Sequence, residues 1–322
     1  MKIVITGATG SLGSAIHGRL LKRNHDVVGL GRNAKKLTRL ISEGREMLNC
    51  DILDVAMLEK CFSGADVIIH SAAFASPWGK KTLFQMTNVQ GTLNIIEVSK
   101  KLDIPHMVFI SSASIFDSCP RNIAQKNDFP AKEFRPRNAY SASKYDAEIK
   151  VVNSGMKNWI GLRPRAVVGN GDQTVIPRLL DLIKDRKVLI PGKGDAMLDI
   201  TCMENFLDAV ECAVSPKDSA KGRFYNISNG QPRPFIELIM ALADKKYGSV
   251  KARHIPLLPL RFLASISSSI RRIIPLIKTE PRITHYSLDQ IACSLFLDIE
   301  TSKKALDWEP IQSFEECLEE IT

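Results

Sequence analysis

Two side chains four residues apart define the chemistry that this 322-residue chain offers. Tyr140 and Lys144 fall in Asn138-Ala-Tyr-Ser-Ala-Ser-Lys144, a stretch that opens a helix, so they share one face. A phenol ordinarily loses its proton near pH 10, too high for a base at neutrality. An ammonium within a few ångströms lowers that value by about 1–3 units, each worth about 1.4 kcal/mol. The spacing therefore predicts an acid/base Tyr140 tuned downward by Lys144. On any surface helix the same spacing is an ordinary pair. It gains meaning from Ser112, at the end of the strand His106 to Ile110, and from a glycine turn at the start of the chain.

That turn follows a β-branched run, Lys2 to Thr6, and reads Gly7-Ala-Thr9-Gly10-Ser11-Leu12-Gly13. Apolar residues at helical spacing (Ala15, Ile16, Leu20, Leu21) come next. Strand, glycine turn and helix make a phosphate site. Glycines let the backbone approach a pyrophosphate, and the helix start supplies unpaired N–H groups and a positive dipole end. Asp26 to Gly31 is the second strand. NAD-selective sites place an acid about twenty residues beyond the glycines, whereas Gly31-Arg32-Asn33 stands here. Arg32 suits a 2′-phosphate, with Lys35 or Lys36 as helpers, which favours NADP while leaving NAD open.

Further strands are expected at Arg45 to Cys50, Ala65 to His70, His106 to Ile110, Asn158 to Leu162 and Arg223 to Ile227. Helices are expected over Leu83 to Lys101 and near Met203 to Val214, with a loop from Asp117 to Arg137. This alternation predicts an α/β fold, a doubly wound parallel Rossmann sheet, with the ligand across the carboxyl ends of its strands. The expected division is a dinucleotide domain of residues 1–165 with 196–228, and a smaller C-terminal substrate lobe of 166–195 with 229–322.

The formal charge of +9 points to anionic ligands. No nucleic-acid partner is expected, because the Lys and Arg are scattered, with no basic tail or aromatic-interleaved strip. The seven cysteines have no metal spacing and read as reduced, so no metal is expected and a cytoplasmic setting fits. No signal peptide and no transmembrane helix are read. A lid helix is expected near 260–274, where Leu263, Ile266, Ile270, Ile273 and Ile277 repeat at helical spacing among Arg261, Arg271 and Arg272, with Pro275 stopping or bending it. The 257–277 segment reads equally as a lid packed on the other lobe and as a basic, apolar face for peripheral contact with anionic lipid.

In order along the chain, TGATGSLG, CDILD, HSAA, Asn88-Val-Gln-Gly-Thr92, FISSAS, YSASK and Leu162-Arg-Pro-Arg-Ala-Val-Val-Gly169 resemble the extended short-chain dehydrogenase/reductases. The later segments, among them Ser76-Pro-Trp-Gly79, Val175-Ile-Pro-Arg178 and Glu280-Pro-Arg-Ile-Thr284, resemble the 3β-hydroxysteroid dehydrogenase branch. Within it they are most like bacterial sterol dehydrogenases and 2-alkyl-3-oxoalkanoate reductases. The resemblance implies that Ser112 orients the substrate oxygen, Tyr140 exchanges the proton, and Lys144 tunes Tyr140 and binds the nicotinamide ribose. It implies a pyrophosphate on Gly7, Thr9, Gly10, Ser11, Leu12 and Gly13, adenine by Asp51 and Ile52, and the ribose phosphate region by Ser71, Ala72 and Ala73. Pro164 and Val167 then border the nicotinamide, and Asn88 joins the cofactor set. Usage departs from the family at Phe116-Asp117, Asn170 and Asp307-Trp308. Arg165 stands where sugar-nucleotide epimerases carry Asn. The reading is an NAD(P)-dependent oxidoreductase for an apolar alcohol or ketone, sterol-like or long-chain β-hydroxy/β-keto acyl, and a homodimer is compatible with it. The alternatives are a nucleotide-sugar epimerase or dehydratase and a non-catalytic NADP-binding regulator.

Overall fold

The apolar run Ile3-Val-Ile5 is fully buried at the centre of a sheet covered on both faces. In this computed structural model, which describes residues 1–116, 126, 127, 136, 138–273, 281 and 283–321, that run belongs to β1 (Lys2–Thr6). After it come α1 (Ser11–Lys22), β2 (Asp26–Gly31), α2 (Ala34–Ser42), β3 (Glu46–Asn49), α3 (Val55–Phe62) and β4 (Val67–His70). Next are α4 (Lys81–Phe84), a π-helical segment (Gln85–Gln90), α5 (Gly91–Lys101), β5 (His106–Ile110), α6 (Ala139–Val152) and β6 (Trp159–Pro164). The expected single helix over Leu83 to Lys101 is thus broken by a wider turn, which puts Asn88 and Thr92 inward, where both are buried.

The second half contributes β7 (Val167–Val168), α7 (Val175–Leu180), β8 (Ile183–Lys184), β9 (Lys187–Pro191), β10 (Met197–Leu198), β11 (Thr201–Cys202), α8 (Met203–Val214) and β12 (Arg223–Ile227). It ends with β13 (Arg233–Pro234), α9 (Phe235–Tyr247), β14 (Lys251–Ile255), α10 (Leu257–Ile273), α11 (His285–Ala292), α12 (Glu300–Leu306) and α13 (Phe314–Glu320). The main sheet has seven strands in the order β12-β6-β5-β4-β1-β2-β3, every pairing parallel. The chain order reverses between β1 and β4, so their carboxyl ends open the crevice in which this fold takes ligands. A three-stranded sheet, β14-β9-β8, and a separate apolar core around Phe235, Leu238 and Ile239 build the smaller lobe.

α10 runs as far as Ile273, and the positions of Pro275 and Ile277 lie outside the described residues, as does nearly all of the expected loop from Asp117 to Arg137. Leu260 and Ala264 pack α10 on Leu288 of α11, whereas Leu263, Ile266 and Ile270 are exposed. The apolar repeat picked out for this helix is therefore not its packing face. Cys50, Cys61, Cys202, Cys212 and Cys317 carry free thiols, whereas Cys293 is disulfide-bonded, against the expectation that all seven are reduced. Sequence spacing does not reveal which thiols the fold brings within bonding reach.

Candidate active site

β1 leads into a turn that only glycine can make. Gly7 has φ +72°, and a Cβ there would lie 2.7 Å from the Ala72 backbone at the end of β4. A Cβ on Gly13 would lie 2.3 Å from the Gly7 carbonyl oxygen. The two contacts hold the start of α1 against the ends of β1 and β4. Gly10 caps α1 with no side-chain hydrogen bond, and the first turn carries no acidic residue. The N-terminal donors and the dipole are left for an anion.

A cleft of about 1380 Å³ starts there and runs into the smaller lobe. Its first half is lined by Gly7, Thr9, Gly10, Ser11, Leu12, Gly13, Arg32, Ile52, Ser71, Ala72 and Ala73, all expected cofactor positions. Ser112, Tyr140, Lys144, Pro164 and Val167 line its middle. Two expected positions are not on its wall. Asp51 bonds instead to the Arg32 guanidinium, 3.0 Å away at the rim. The Asn88 amide accepts from Phe74 N (2.7 Å) and donates to Ser143 Oγ (2.9 Å), bracing the loop after β4 against α6. Asn88 is turned from the cofactor half because the π-helical segment points it inward.

Asn138 caps α6 by accepting from Ser141 N at 2.7 Å. Tyr140 and Lys144 then project from one side of the helix into the cleft. Burial raises the Tyr140 phenol above its usual value, and a hydrogen bond with Ser112 draws it partly back. The Lys144 ammonium donates to the Ile110 carbonyl at 2.7 Å and lies 4.7 Å from the centre of the Phe109 ring. Burial lowers it to about 8, against the pull of Glu148. The expected downward tuning of Tyr140 is thus not what the structure holds. Desolvation is the largest cause, and the Lys144 ammonium is engaged with the Ile110 carbonyl. Burial thus favours the protonated phenol of Tyr140, which lines the cleft with Ser112.

Two buried networks that motif spacing does not flag support this site. Glu148, one turn beyond Lys144, takes two hydrogen bonds from Arg163, Nε to Oε1 at 2.9 Å and Nη2 to Oε2 at 2.7 Å, and one from Ser111 Oγ at 2.5 Å. His70 connects Thr6 Oγ1 (2.8 Å) with Thr92 Oγ1 (3.0 Å). Thr92 donates onward to the Asn88 carbonyl at 2.6 Å, so His70 Nε2 carries the proton and Nδ1 accepts from Thr6. Burial, with Lys144 nearby, lowers His70 to about 3 and keeps it neutral. The signal for Glu148 was its i,i+4 spacing from Lys144, and for His70 its place at a strand end.

The second half of the cleft is mainly apolar, with Leu182, Leu198, Phe235, Leu242, Leu260 and Leu288 on its walls. Arg165 and Asp199 lie where the halves meet. Arg165 donates to the Gln290 side chain. Burial raises Asp199 to about 6 although Ser228 Oγ donates to it at 2.6 Å.

The NAD dependent epimerase/dehydratase family matches residues 3–228. A 2-alkyl-3-oxoalkanoate reductase of Stenotrophomonas maltophilia is 27% identical over 100% of this chain and 98% of its own length. A sterol-4-alpha-carboxylate 3-dehydrogenase, decarboxylating, of Mus musculus is 24% identical over 99% and 89%. Among solved structures, the UDP-glucuronic acid 4-epimerase of Bacillus cereus in complex with NAD superposes with a TM-score of 0.77 at 20% identity, over 99% of this chain and 94% of that one. At that identity the likeness is one of fold.

Proposed function

The chain belongs to the NAD dependent epimerase/dehydratase family, as an NAD(P)-dependent enzyme of the short-chain dehydrogenase/reductase type, and we propose that it interconverts a secondary alcohol and a ketone on an apolar, sterol-like or long-chain acyl substrate. The observation that carries this reading is that Ser112, Tyr140 and Lys144 share one cleft wall between a glycine-walled anion cradle and an apolar chamber. The cradle fits a dinucleotide: α1 begins without a side-chain cap, beside a glycine turn. Gly7, Gly10 and the first turn of α1 would hold the pyrophosphate. Arg32 at the rim would hold a 2′-phosphate, the basis for preferring NADP to NAD. When bound, the nicotinamide supplies or takes up the hydride.

Ser112 Oγ and Tyr140 Oη would bind the substrate oxygen. In the direction of reduction Tyr140 Oη gives its proton to that oxygen, starting from the protonated phenol that burial favours. Lys144, mostly protonated below about pH 8, then faces a phenolate and stabilises it. Glu148 and Arg163 act as positioning residues by fixing Ser111 and the base of α6.

The apolar chamber favours a hydrocarbon-rich substrate, as does the likeness to relatives named for oxoalkanoate and sterol carboxylate chemistry. A sugar nucleotide would meet a mainly apolar wall there, with Arg165, Arg178 and Lys184 among its polar residues. The test is NADPH and NADH oxidation against 3-keto-steroids, β-keto acyl substrates and sugar nucleotides, with Tyr140→Phe as control. Turnover of the first two classes is expected, lost in Tyr140→Phe while NADPH binding persists. Unchanged turnover in that variant overturns the mechanism, and turnover of sugar nucleotides alone overturns the substrate class.

A further inference from the structure

α10 stands out among the described surfaces. Among the described residues, five of the fifteen exposed large apolar side chains are on this one helix: Leu258, Phe262, Leu263, Ile266 and Ile270. Leu258, Phe262, Ile266 and Ile270 follow one another at i,i+4 spacing and form a continuous stripe. Leu258 is 82% and Phe262 67% exposed, so the stripe is open along its first two turns. The opposite side of α10 is held by Leu260 and Ala264 on Leu288, and Leu260 also lines the cleft. One helix therefore walls the apolar chamber on its inside and presents hydrocarbon on its outside.

The segment that carries the stripe is basic, and Asp289 of α11 pairs with its Arg261 at 3.1 Å. Between Asp244 and Glu280 the chain has no acidic residue and eight Lys or Arg. β14 leads into α10 through Pro256 and exposes Lys251 and Arg253. Arg186 and Lys187, in the turn from β8 to the neighbouring β9, are exposed as well, with Asp185 the carboxylate of that turn. No helix among the described residues is long and apolar enough to cross a membrane. An apolar stripe flanked by cations, on a helix that does not span, is the arrangement of a helix lying in the headgroup layer.

We propose that α10, with the basic β14 and β8–β9 turn, docks this protein on an anionic phospholipid surface, the stripe from Leu258 to Ile270 entering the acyl boundary. The docking stands apart from the reaction assigned above. Its consequence, that an apolar substrate passes from the bilayer by α10 into the chamber, rests on that reading.

Sedimentation of the full chain with vesicles tests the docking. Binding is expected to vesicles of phosphatidylcholine with phosphatidylglycerol, weaker to phosphatidylcholine alone, and falling as salt is raised. Phe262→Glu and Leu258→Glu, neither on the cleft wall, are each expected to lower vesicle binding about tenfold or more. Lys187→Gln with Arg253→Gln should remove the preference for anionic lipid. NADPH binding by these variants reports that the fold and the cofactor site are intact, independently of lipid and substrate. Failure to sediment with anionic vesicles overturns the proposal, as does binding that survives Phe262→Glu. A concentration-dependent dimer abolished by Phe262→Glu overturns it too, since a second copy would then be what covers the stripe.

Discussion

Replacing Glu148 by Gln should destabilise the whole chain although no substrate contact is touched. The Glu148 and Arg163 side chains are each 0% exposed. The carboxylate takes two hydrogen bonds from the guanidinium and one from Ser111. Glutamine keeps the shape and one acceptor but removes the Glu148 charge from beside the buried Arg163 guanidinium. Breaking a buried pair in this way costs about 3–5 kcal/mol, a large share of a total stability of about 5–15 kcal/mol. The rings of Phe224 and Phe116, 4.6 and 5.1 Å from the guanidinium carbon, remain and are worth about 2 kcal/mol at most, so they do not offset it. With a urea slope of about 3 kcal/mol per molar, the unfolding midpoint should fall by about 1 M or more. The double variant Glu148→Leu with Arg163→Met removes both charges and should recover most of the loss. Urea unfolding followed by circular dichroism measures all of these. A Gln variant as stable as the parent, or a double variant no better than the Gln single, would refute the reasoning.

Lys144 gives a prediction with a defined pH window. Its value is lowered from 10.5 to about 8, so between those values the unfolded chain binds more protons and stability must rise with pH. Below about pH 8 the buried charge costs about 3 kcal/mol. Lys144→Met should therefore be more stable than the parent at pH 7, and the gap should close toward pH 10.5 in thermal melts. A gap independent of pH would mean that Lys144 is not desolvated. Arg32→Ala should weaken NADPH about tenfold or more, the size of a lost charge-assisted hydrogen bond, while NADH titrations change little. Equal losses for both cofactors would remove Arg32 as a 2′-phosphate ligand.

What the sequence made legible is what short-range rules govern. The glycine turn, β1, β12, α8 and the Asn138 start of α6 all depend on a few consecutive residues, and each lies where its spacing predicted. Tyr140 and Lys144 were brought to one cleft wall for the same reason. Contacts between distant elements were not legible. Glu148 and Arg163 meet across α6 and β6, and the proton chain of Thr6, His70 and Thr92 spans β1, β4 and α5. The inward turn of Asn88 comes from a π-helical segment that no side-chain pattern announced. The outward face of α10 depends on which residues meet Leu288, and its own periodicity is silent on that.

The opposite shifts of Tyr140 and Lys144 have one origin. Burial disfavours the phenolate and the ammonium alike, raising one group and lowering the other. Either charge formed alone in this cleft is costly, whereas the two formed together compensate each other. Beneath them Glu148 and Arg163 are already a matched pair, and Glu148 still supports the Lys144 charge. A site built this way resists creating an isolated phenolate until Lys144 is free to face it. That requires the ammonium to exchange its bond with the Ile110 carbonyl for one with a ligand or with Tyr140. The proton on Tyr140 is therefore coupled to where Lys144 points. Lys144→Arg, which keeps the charge but not the compact three-donor geometry, should bind NADPH yet turn over poorly, and full activity in that variant would show that charge alone suffices.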